Sequence, residues 1–298
     1  MSDDVGGGAR IVAFTGKGGV GKTTCSSATA LHLADRGEKT LLVSSDPSPS
    51  LSDILEQNVS GEITDVRGVD CMSALEMDYD MIAERWKDKF GEEVYEVASS
   101  FLPVDREIID YFANAPGIPE EFAIAEILEH YEGNRFDRLV WDTAPAGGTL
   151  SLIKLQDKFY GHLGDAVKLY VRIKDRLRSL VEGEVKKSPM QIISEWRQLA
   201  QDCLDMITAE DTKFYVVTIP ESIGVNETER IIDNLNEFNL NVEKVIVNYL
   251  LTDAMCNCKY HSRRADMQER HLNQLRKAYE CDPGLVLLPR LPDEIKGL

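Results

Sequence analysis

The chain has 298 residues, which is enough for one large α/β domain or two smaller ones with a buried core. Its hydrophobic content of 43% and charged content of 28% are those of a soluble globular protein. The formal net charge of -18 argues against nucleic acid as a partner, because a protein that neutralises phosphates needs a basic surface.

The first ten residues, MSDDVGGGAR, are acidic and glycine-rich where a signal peptide would have basic residues followed by an apolar stretch. No apolar run approaches the roughly 18 residues that indicate a membrane-spanning helix. We therefore expect a cytoplasmic protein. In that compartment its six cysteines are not expected to form a disulfide framework.

Short runs rich in β-branched and apolar residues recur along the chain, and most are continuous rather than alternating. Continuous runs are typical of strands buried on both faces of a parallel sheet. Helical patterns lie between them, as in residues 22–37, where Gly37 stands as a terminator. The order predicts an α/β fold with a mostly parallel, doubly wound sheet. The predicted strands lie in residues 10–16, 39–46, 69–78, 136–145, 213–221, 242–250 and 284–292.

Two stretches, 79–133 and 153–212, interrupt this alternation, because both have helical spacing and lack convincing strands. In the second, Trp196, Leu199 and Cys203 recur at intervals of three and four. Such stripes either pack against neighbouring helices or leave a groove open for an apolar client helix. We interpret both stretches as a helical, client-binding subdomain inserted into an α/β domain. The α/β domain then comprises residues 8–78, 134–152 and 213–298.

A phosphate-binding loop follows the first predicted strand and opens a helix. Gly16 to Thr23 reads G-K-G-G-V-G-K-T, which matches the loop of P-loop NTPases in the required context. Its glycines let backbone N–H groups turn towards phosphate oxygens at a helix N-terminus. We expect Lys22 to reach the β- and γ-phosphates of ATP and Thr23 to ligate Mg²⁺. The predicted loop contacts are Gly16, Lys17, Gly18, Gly19, Val20, Gly21, Lys22, Thr23 and Thr24.

Lys17 is one lysine more than such a loop needs, and it lies on the rim of the loop. Loops of the form K-G-G-x-G-K resemble the deviant Walker A class, whose members dimerise around nucleotide and insert this lysine into the partner's site. The resemblance implies a homodimer in which Lys17 acts in trans, as an arginine finger does. The alternative is a solvated surface lysine.

Two aspartates follow predicted strands that neighbour the loop. Asp46 comes after the second strand, where it is well placed to orient the attacking water or accept its proton. Asp142 ends the strand in FDRLVWDTAP and is expected to hold the Mg²⁺ shell. A single aspartate after a strand can simply cap a helix, but two of them with the loop favour catalysis.

The chain resembles the ATPase family that drives arsenical pumps and delivers tail-anchored membrane proteins. The resemblance rests on GKGGVGKTT, DPSPSLSD, PGIPEE, FDRLVWDTAPAGGTLSL, ETERIIDNL, VIVNYLL and LPDEIKGL, which occur in unbroken order between residues 10 and 298. It implies that Asp46 is the hydrolytic aspartate of the first switch. It also implies adenosine contacts from Asn248, Glu221 and the loop of Pro289.

The chain departs from the family pattern in both switches. Ser48, Pro49 and Ser50 stand where the family usually has Ala-His-Asn, and Gly148 stands where it usually has histidine. Two imidazoles are therefore absent, and hydrolysis is expected to depend on Asp46.

One cysteine cluster is a candidate zinc site. Cys256, Cys258 and His261 lie within six residues, and the targeting ATPases of the family carry C-x-x-C near here, with zinc shared across the dimer axis. The resemblance places Cys258 and His261 on that pair, since zinc accepts either ligand type, and Cys256 is a possible substitute for His261. The alternative is a reduced, unliganded loop. The other cysteines are expected in the core: Cys25, Cys71, Cys203 and Cys281.

The resemblance implies an ATP-hydrolysing, homodimeric targeting factor that shields the apolar helix of a tail-anchored protein and delivers it, with a membrane receptor as a further candidate partner. A first alternative is the driving subunit of an arsenite pump, although such subunits are typically tandem duplications with a three-thiol set. A second is another deviant Walker A dimer, either a partitioning ATPase or an iron-sulfur reductase. The charge of -18 opposes the partitioning ATPase, which needs a basic DNA-binding face.

Overall fold

The computed structural model describes residues 8–46, 50–99, 103–115, 118–143, 189–251 and 258–297. Eight strands are β1 Ile11–Gly16, β2 Thr40–Ser44, β3 Thr64–Asp65, β4 Met72–Glu76, β5 Arg138–Asp142, β6 Thr212–Thr218, β7 Val242–Leu250 and β8 Leu285–Pro289. The helices of this described part are α1 Lys22–Asp35, α2 Ser50–Ile54, α3 Tyr79–Ser99, α4 Glu107–Ala113, α5 Ile118–Glu132, α6 Pro189–Thr208, α7 Ser222–Glu237 and α8 Lys259–Tyr279.

The chain divides into two compact units. Within the described residues, the sheet unit comprises 8–77, 130–143 and 207–297, and the helical unit comprises 78–129 and 189–206. The predicted assignment of these parts to nucleotide binding and client binding stays a prediction. Residues 153–188 of the predicted helical stretch 153–212 lie outside the described residues.

The sheet has eight strands in the order β3-β4-β2-β5-β1-β6-β7-β8, and all neighbours are parallel except β3 and β4. The predicted α/β fold of the P-loop NTPase type, with its mostly parallel sheet, is thereby confirmed. All seven predicted strands are present. The sequence pattern missed β3, because a two-residue edge strand carries no periodicity.

Helices cover both faces of the sheet, as the continuous apolar strands require. Ile246 packs in the same core cluster as residues of α1, whereas its neighbour Val247 packs with Leu272 and Leu275 of α8. Consecutive strand residues point to opposite faces. The helices α1 and α8 therefore lie on opposite faces, and all six residues of β1 are buried between the layers.

Helix α1 ends where the sequence predicts. Gly37 has φ +83, and its N–H donates to Ala34 O at 2.8 Å while the Glu38 N–H donates to Leu33 O at 3.3 Å. This left-handed glycine closes the helix by satisfying two of its last carbonyl groups.

The cysteines are only partly where they were expected. Cys25 and Cys203 are buried as predicted, and burial together with the charge of Asp142 raises the pKa of Cys25 to about 12. The prediction that Cys71 and Cys281 lie in the core is wrong. Both are exposed, because Cys71 lies in the turn before β4 at φ +63 and Cys281 lies in the turn after α8.

The helical unit is held together by aromatic packing and by ion pairs such as Arg85–Glu126 between α3 and α5. The Phe90 ring on α3 packs at 6.1 Å from Trp86, 5.8 Å from Phe122 and 6.3 Å from Trp196, measured between ring centroids. No helix among the described residues is long and apolar enough to cross a membrane.

Candidate functional site

The phosphate loop joins β1 to α1, and two of its glycines have no room for a side chain. A Cβ on Gly16, which has φ +151, would lie 2.2 Å from the carbonyl oxygen of Val217 in β6. A Cβ on Gly21, at φ +95, would lie 2.4 Å from Nδ2 of Asn248 in β7. Positive φ and close backbone approach both demand glycine. The loop is thus packed directly against the ends of its neighbouring strands.

The predicted phosphate- and metal-binding side chains meet beside this loop. Lys22 is buried, and its Nζ lies 3.5 Å from the carbonyl oxygen of Lys17. Thr23 donates from Oγ1 to Oδ2 of Asp142 at 2.7 Å and lies 3.3 Å from Oγ of Ser50. The other predicted loop residues lie in the loop or the first turn of α1: Gly18, Gly19, Val20 and Thr24.

Asp142 at the end of β5 is fully buried, and its Oδ1 has no hydrogen-bond partner among the described residues. Burial raises the pKa of this carboxyl to about 6; Thr23 and Lys22 act to lower it, and the charges of Asp46 and Glu76 act to raise it. Oxygen ligands are what Mg²⁺ prefers, and a cation offsets the cost of burying the charge. The Thr23 hydroxyl and the unused carboxylate oxygen therefore fit Mg²⁺.

Asp46 lies just beyond β2, next to Asp142. The Asp46 N–H donates to Ser44 Oγ at 3.3 Å, and the Ser45 N–H donates to the Asp142 carbonyl oxygen at 3.0 Å. The indole of Trp141 donates to Ser45 Oγ at 2.9 Å and ties the two strand ends together. The segment that begins at Ser45 and Asp46 is thus fixed to the end of β5, which carries Asp142. Of the positions where the chain departs from the family pattern, Ser50 begins α2, whereas Ser48, Pro49 and Gly148 lie outside the described residues.

Sequence reasoning missed Glu76, which ends β4. This carboxylate is buried and accepts hydrogen bonds from the Leu51 N–H at 2.8 Å, the Ser52 N–H at 3.4 Å and the Ser52 hydroxyl at 2.6 Å. It therefore anchors the helix α2 that follows Asp46. The sequence does carry a signal for this residue, because Glu76, like Asp142, is an acidic residue at the end of a strand.

The predicted adenosine contacts all lie at the carboxyl ends of strands on the other side of the loop. Asn248 is buried and its amide donates to the Val20 carbonyl oxygen at 3.0 Å, so this side chain supports the loop itself. Glu221 precedes α7 and forms an ion pair with Arg264 of α8. Pro289 ends β8. Their contacts with adenosine stay a prediction.

Two of the three predicted zinc ligands lie close together at the start of α8. The Sγ of Cys258 is 3.0 Å from Nδ1 of His261, whereas Cys256 lies outside the described residues. Within the part of the chain that the structure describes, no group of three or more potential ligands surrounds a common point. The pair alone cannot complete the four ligands of a structural zinc site.

The helical unit contains an apolar cavity of about 260 Å³. Its lining includes Trp196, Leu199 and Cys203, the residues of the stripe recognised in the sequence, and one charged residue, Glu121. The full lining is Trp86, Phe90, Val94, Val97, Ala98, Phe112, Ile118, Glu121, Phe122, Ala125, Trp196, Leu199, Ala200 and Cys203.

Comparison with known proteins identifies the family of the chain. The model of the family described as anion-transporting ATPase matches residues 9–298. The protein named ATPase GET3 of Komagataella phaffii is 32% identical over 300 residues, covering 95% of this chain and 85% of its own. ATPase GET3C of Arabidopsis thaliana is 33% identical over 305 residues, covering 95% and 78%, and ATPase ASNA1 homolog 2 of Paramecium tetraurelia is 30% identical over 295 residues, covering 95% and 88%. The resemblance drawn from the motifs is confirmed, and the family implies a bound nucleotide with Mg²⁺. The chain is an ATPase and belongs to the anion-transporting ATPase family.

Proposed function

We propose that this ATPase is a homodimeric targeting factor that shields the apolar helix of a tail-anchored membrane protein and delivers it. One observation carries the proposal: the chain that holds the phosphate loop also holds an apolar cavity in its helical unit. An ATPase that acts only on nucleotide has no need of such a cavity, and exposed apolar surface of this kind marks binding sites.

In the proposed reaction, Lys22 holds the β- and γ-phosphates and Asp46 accepts a proton from the water that attacks the γ-phosphorus. The bond from that phosphorus to the bridging oxygen of ADP breaks, and phosphate leaves. Lys17 of a second copy stabilises the negative charge on the transferring phosphoryl group. Mg²⁺, when bound by Thr23 and Asp142, neutralises charge on the phosphates. Hydrolysis thereby loosens the contact between the two copies.

We further propose that zinc joins the two copies through Cys258 and His261. Sγ and Nδ1 lie 3.0 Å apart, which is a hydrogen-bond distance, and moving them apart to roughly 3.5 Å would let both atoms bind one tetrahedral zinc ion; one such pair from each copy would complete four ligands. Zinc analysis of the purified protein, with Cys258→Ser compared with Cys281→Ser, tests this. Equal zinc content and equal dimer fraction in both variants would overturn it.

The arsenite-pump alternative requires a set of three clustered thiols in the ATPase. The described cysteines lie scattered, and no three of them cluster in that part of the chain. Stimulation of ATP turnover by arsenite would favour this alternative over targeting.

Co-purification tests the targeting proposal directly. The chain and a tail-anchored protein are co-expressed, and recovery of the client is compared between wild type and Asp46→Asn, which is expected to retain ATP and hold the client longer. A soluble protein of equal size that lacks the apolar tail is the matched control. Equal recovery of both proteins would overturn the proposal.

A further inference from the structure

We propose that the apolar cavity of the helical unit prefers helical segments that carry a lysine or arginine among their apolar residues, and that Glu121 is the residue that selects them. The inference rests on the proposed function and adds a chemical class to its clients. It is carried by the placement of one carboxylate in an otherwise apolar lining.

Glu121 differs from the rest of the lining. Among the described residues it is the only charged side chain of the cavity, and no hydrogen bond or ion pair to it is present. The next acidic residue along α5, Glu126, is paired with Arg85. A carboxylate beside apolar groups without a partner is costly, because burial penalises its charge.

The cations of α3 are already engaged by other carboxylates. On α3, Arg85 pairs with Glu126 and Lys89 pairs with Glu129, while Lys87 pairs with both Glu84 and Asp110. These ion pairs account for every lysine and arginine of α3. Glu121 therefore lacks a basic partner from the helix that faces it across the cavity.

The raised pKa of Glu121 agrees with its lack of a cationic partner. Burial, followed by the charge of Glu120, raises the pKa of Glu121 to about 7. Both carboxylates lie in the first turn of α5, where the helix dipole favours negative charge, but only Glu121 lines the cavity. Two other charged residues of α3 lie close to the cavity lining. The Nζ of Lys89 is 5.6 Å from the centre of the Phe122 ring, and Glu93 accepts a hydrogen bond from Trp196 of α6.

The cavity is small for a whole ligand, since sites for small molecules start at roughly 300 Å³. At about 260 Å³ it accommodates one or two large side chains from one face of a bound helix. A lysine or arginine reaches Glu121 with its charged end and lays its aliphatic stem along the aromatic lining. The resulting charge-assisted hydrogen bond keeps Glu121 ionised.

The test compares three labelled helical peptides of leucine and alanine with identical polar ends and one central lysine, glutamine or glutamate. Binding to the full chain with a non-hydrolysable ATP analogue is measured by fluorescence anisotropy at pH 7.5 and pH 5.5. We expect wild type to bind the lysine peptide about tenfold more tightly than the glutamine peptide, as a charge-assisted pair allows. Glutamate is expected to bind most weakly. Protonation of Glu121 at pH 5.5 is expected to reduce the lysine preference.

Glu121→Gln is expected to abolish the preference while binding the glutamine peptide at least as well as wild type, and Glu120→Gln is the matched control that keeps the preference. Thermal unfolding and basal ATP turnover check that both variants fold. If wild type binds the peptides equally, or if Glu121→Gln keeps the preference, the inference is overturned and the targeting proposal stands. If no peptide binds wild type, both fail.

Discussion

The two units of the chain hold the carboxylates of their candidate sites in different ways. In the sheet unit, Glu76 accepts three hydrogen bonds and Asp142 accepts one from Thr23. In the helical unit, Glu121 lies among apolar side chains without a partner in the described residues. The sheet unit thus holds the carboxylates of its site in place with hydrogen bonds, whereas the cavity of the helical unit leaves its one carboxylate without such a partner among the described residues.

The difference follows from the forces involved. Phosphate recognition requires donors and cations at fixed positions, so each contributing group must be held in advance. Apolar association is non-directional and tolerates variation in the shape of the partner. A site for one nucleotide therefore calls for a polar network, while a site for many apolar helices calls for a generic lining.

The largest expected effect concerns Lys17 and tests whether the sheet unit of one copy holds a complete site for ATP hydrolysis. We expect Lys17→Ala to lower kcat by about a thousandfold, or about 4 kcal/mol, because the charge on the transferring phosphoryl group loses its partner in trans. The measurement is steady-state ATP hydrolysis, with nucleotide affinity determined separately. The exposed Lys39→Ala is the control and is expected to turn over normally. Unchanged turnover in Lys17→Ala would mean that Lys17 is a surface lysine.

The second prediction concerns the cost of the buried charge in the sheet unit. Asp142→Asn is expected to raise the free energy of unfolding in the absence of Mg²⁺ and nucleotide, by up to about 3 kcal/mol at pH 8, while hydrolysis is lost. The shift of the Asp142 pKa from 3.8 to about 6 sets this limit. Thermal and urea unfolding in EDTA measure it.

The sign follows from proton binding. The folded protein holds the Asp142 proton more tightly than the unfolded chain, since its pKa is about 6 rather than 3.8. The destabilisation is therefore fully present above about pH 6 and absent below about pH 4. The gain from Asp142→Asn is expected to fall by roughly half between pH 8 and pH 5. A variant that is less stable than wild type at pH 8 would contradict this account.

The third prediction tests whether the polar network positions the first switch. Glu76→Gln keeps the size of the side chain but places an amide donor against the Ser52 hydroxyl, which already accepts from the Val59 N–H and donates to Glu76. We expect kcat to fall by a factor corresponding to about 2 kcal/mol, with KM little changed. A loss of ATP affinity with normal kcat would indicate a merely structural role. Ser52→Ala, which removes the hydroxyl but leaves both N–H donors to Glu76, is expected to have a smaller effect.

The sheet unit was largely predictable because its features are local in sequence. The loop at Gly16, the aspartates at 46 and 142 and the strand runs each lie within a few consecutive residues, and parallel strands bring their ends together automatically. The exception within this unit, Glu76, was missed because nothing beside it in the sequence shows that it contacts Ser52, which lies 24 positions away.

The helical unit was predictable only in outline. Its helices follow from spacing, and the stripe of Trp196 and Leu199 does line the cavity. Nothing local reveals that Phe90 meets both Phe122 and Trp196 there, or that Gly91 allows α4 to approach, where a Cβ would lie 2.9 Å from Ile109 Cγ2. Long-range packing of this kind is not encoded in a motif, and so the position of Glu121 could not be inferred.

The smallest expected effect tests whether the helical unit is as tolerant as its generic lining implies. Trp196→Phe removes the hydrogen bond from Nε1 to Glu93, which measures 3.0 Å, and keeps an aromatic ring against Phe90. We expect the free energy of unfolding to fall by about 1 kcal/mol and the affinity for an apolar peptide to change by less than about twofold. Chemical unfolding and peptide anisotropy measure the two quantities on the same preparation. A tenfold loss of peptide affinity would show that the apolar cavity is preorganised as tightly as the phosphate site, and the contrast between the two units would then lie only in their chemistry.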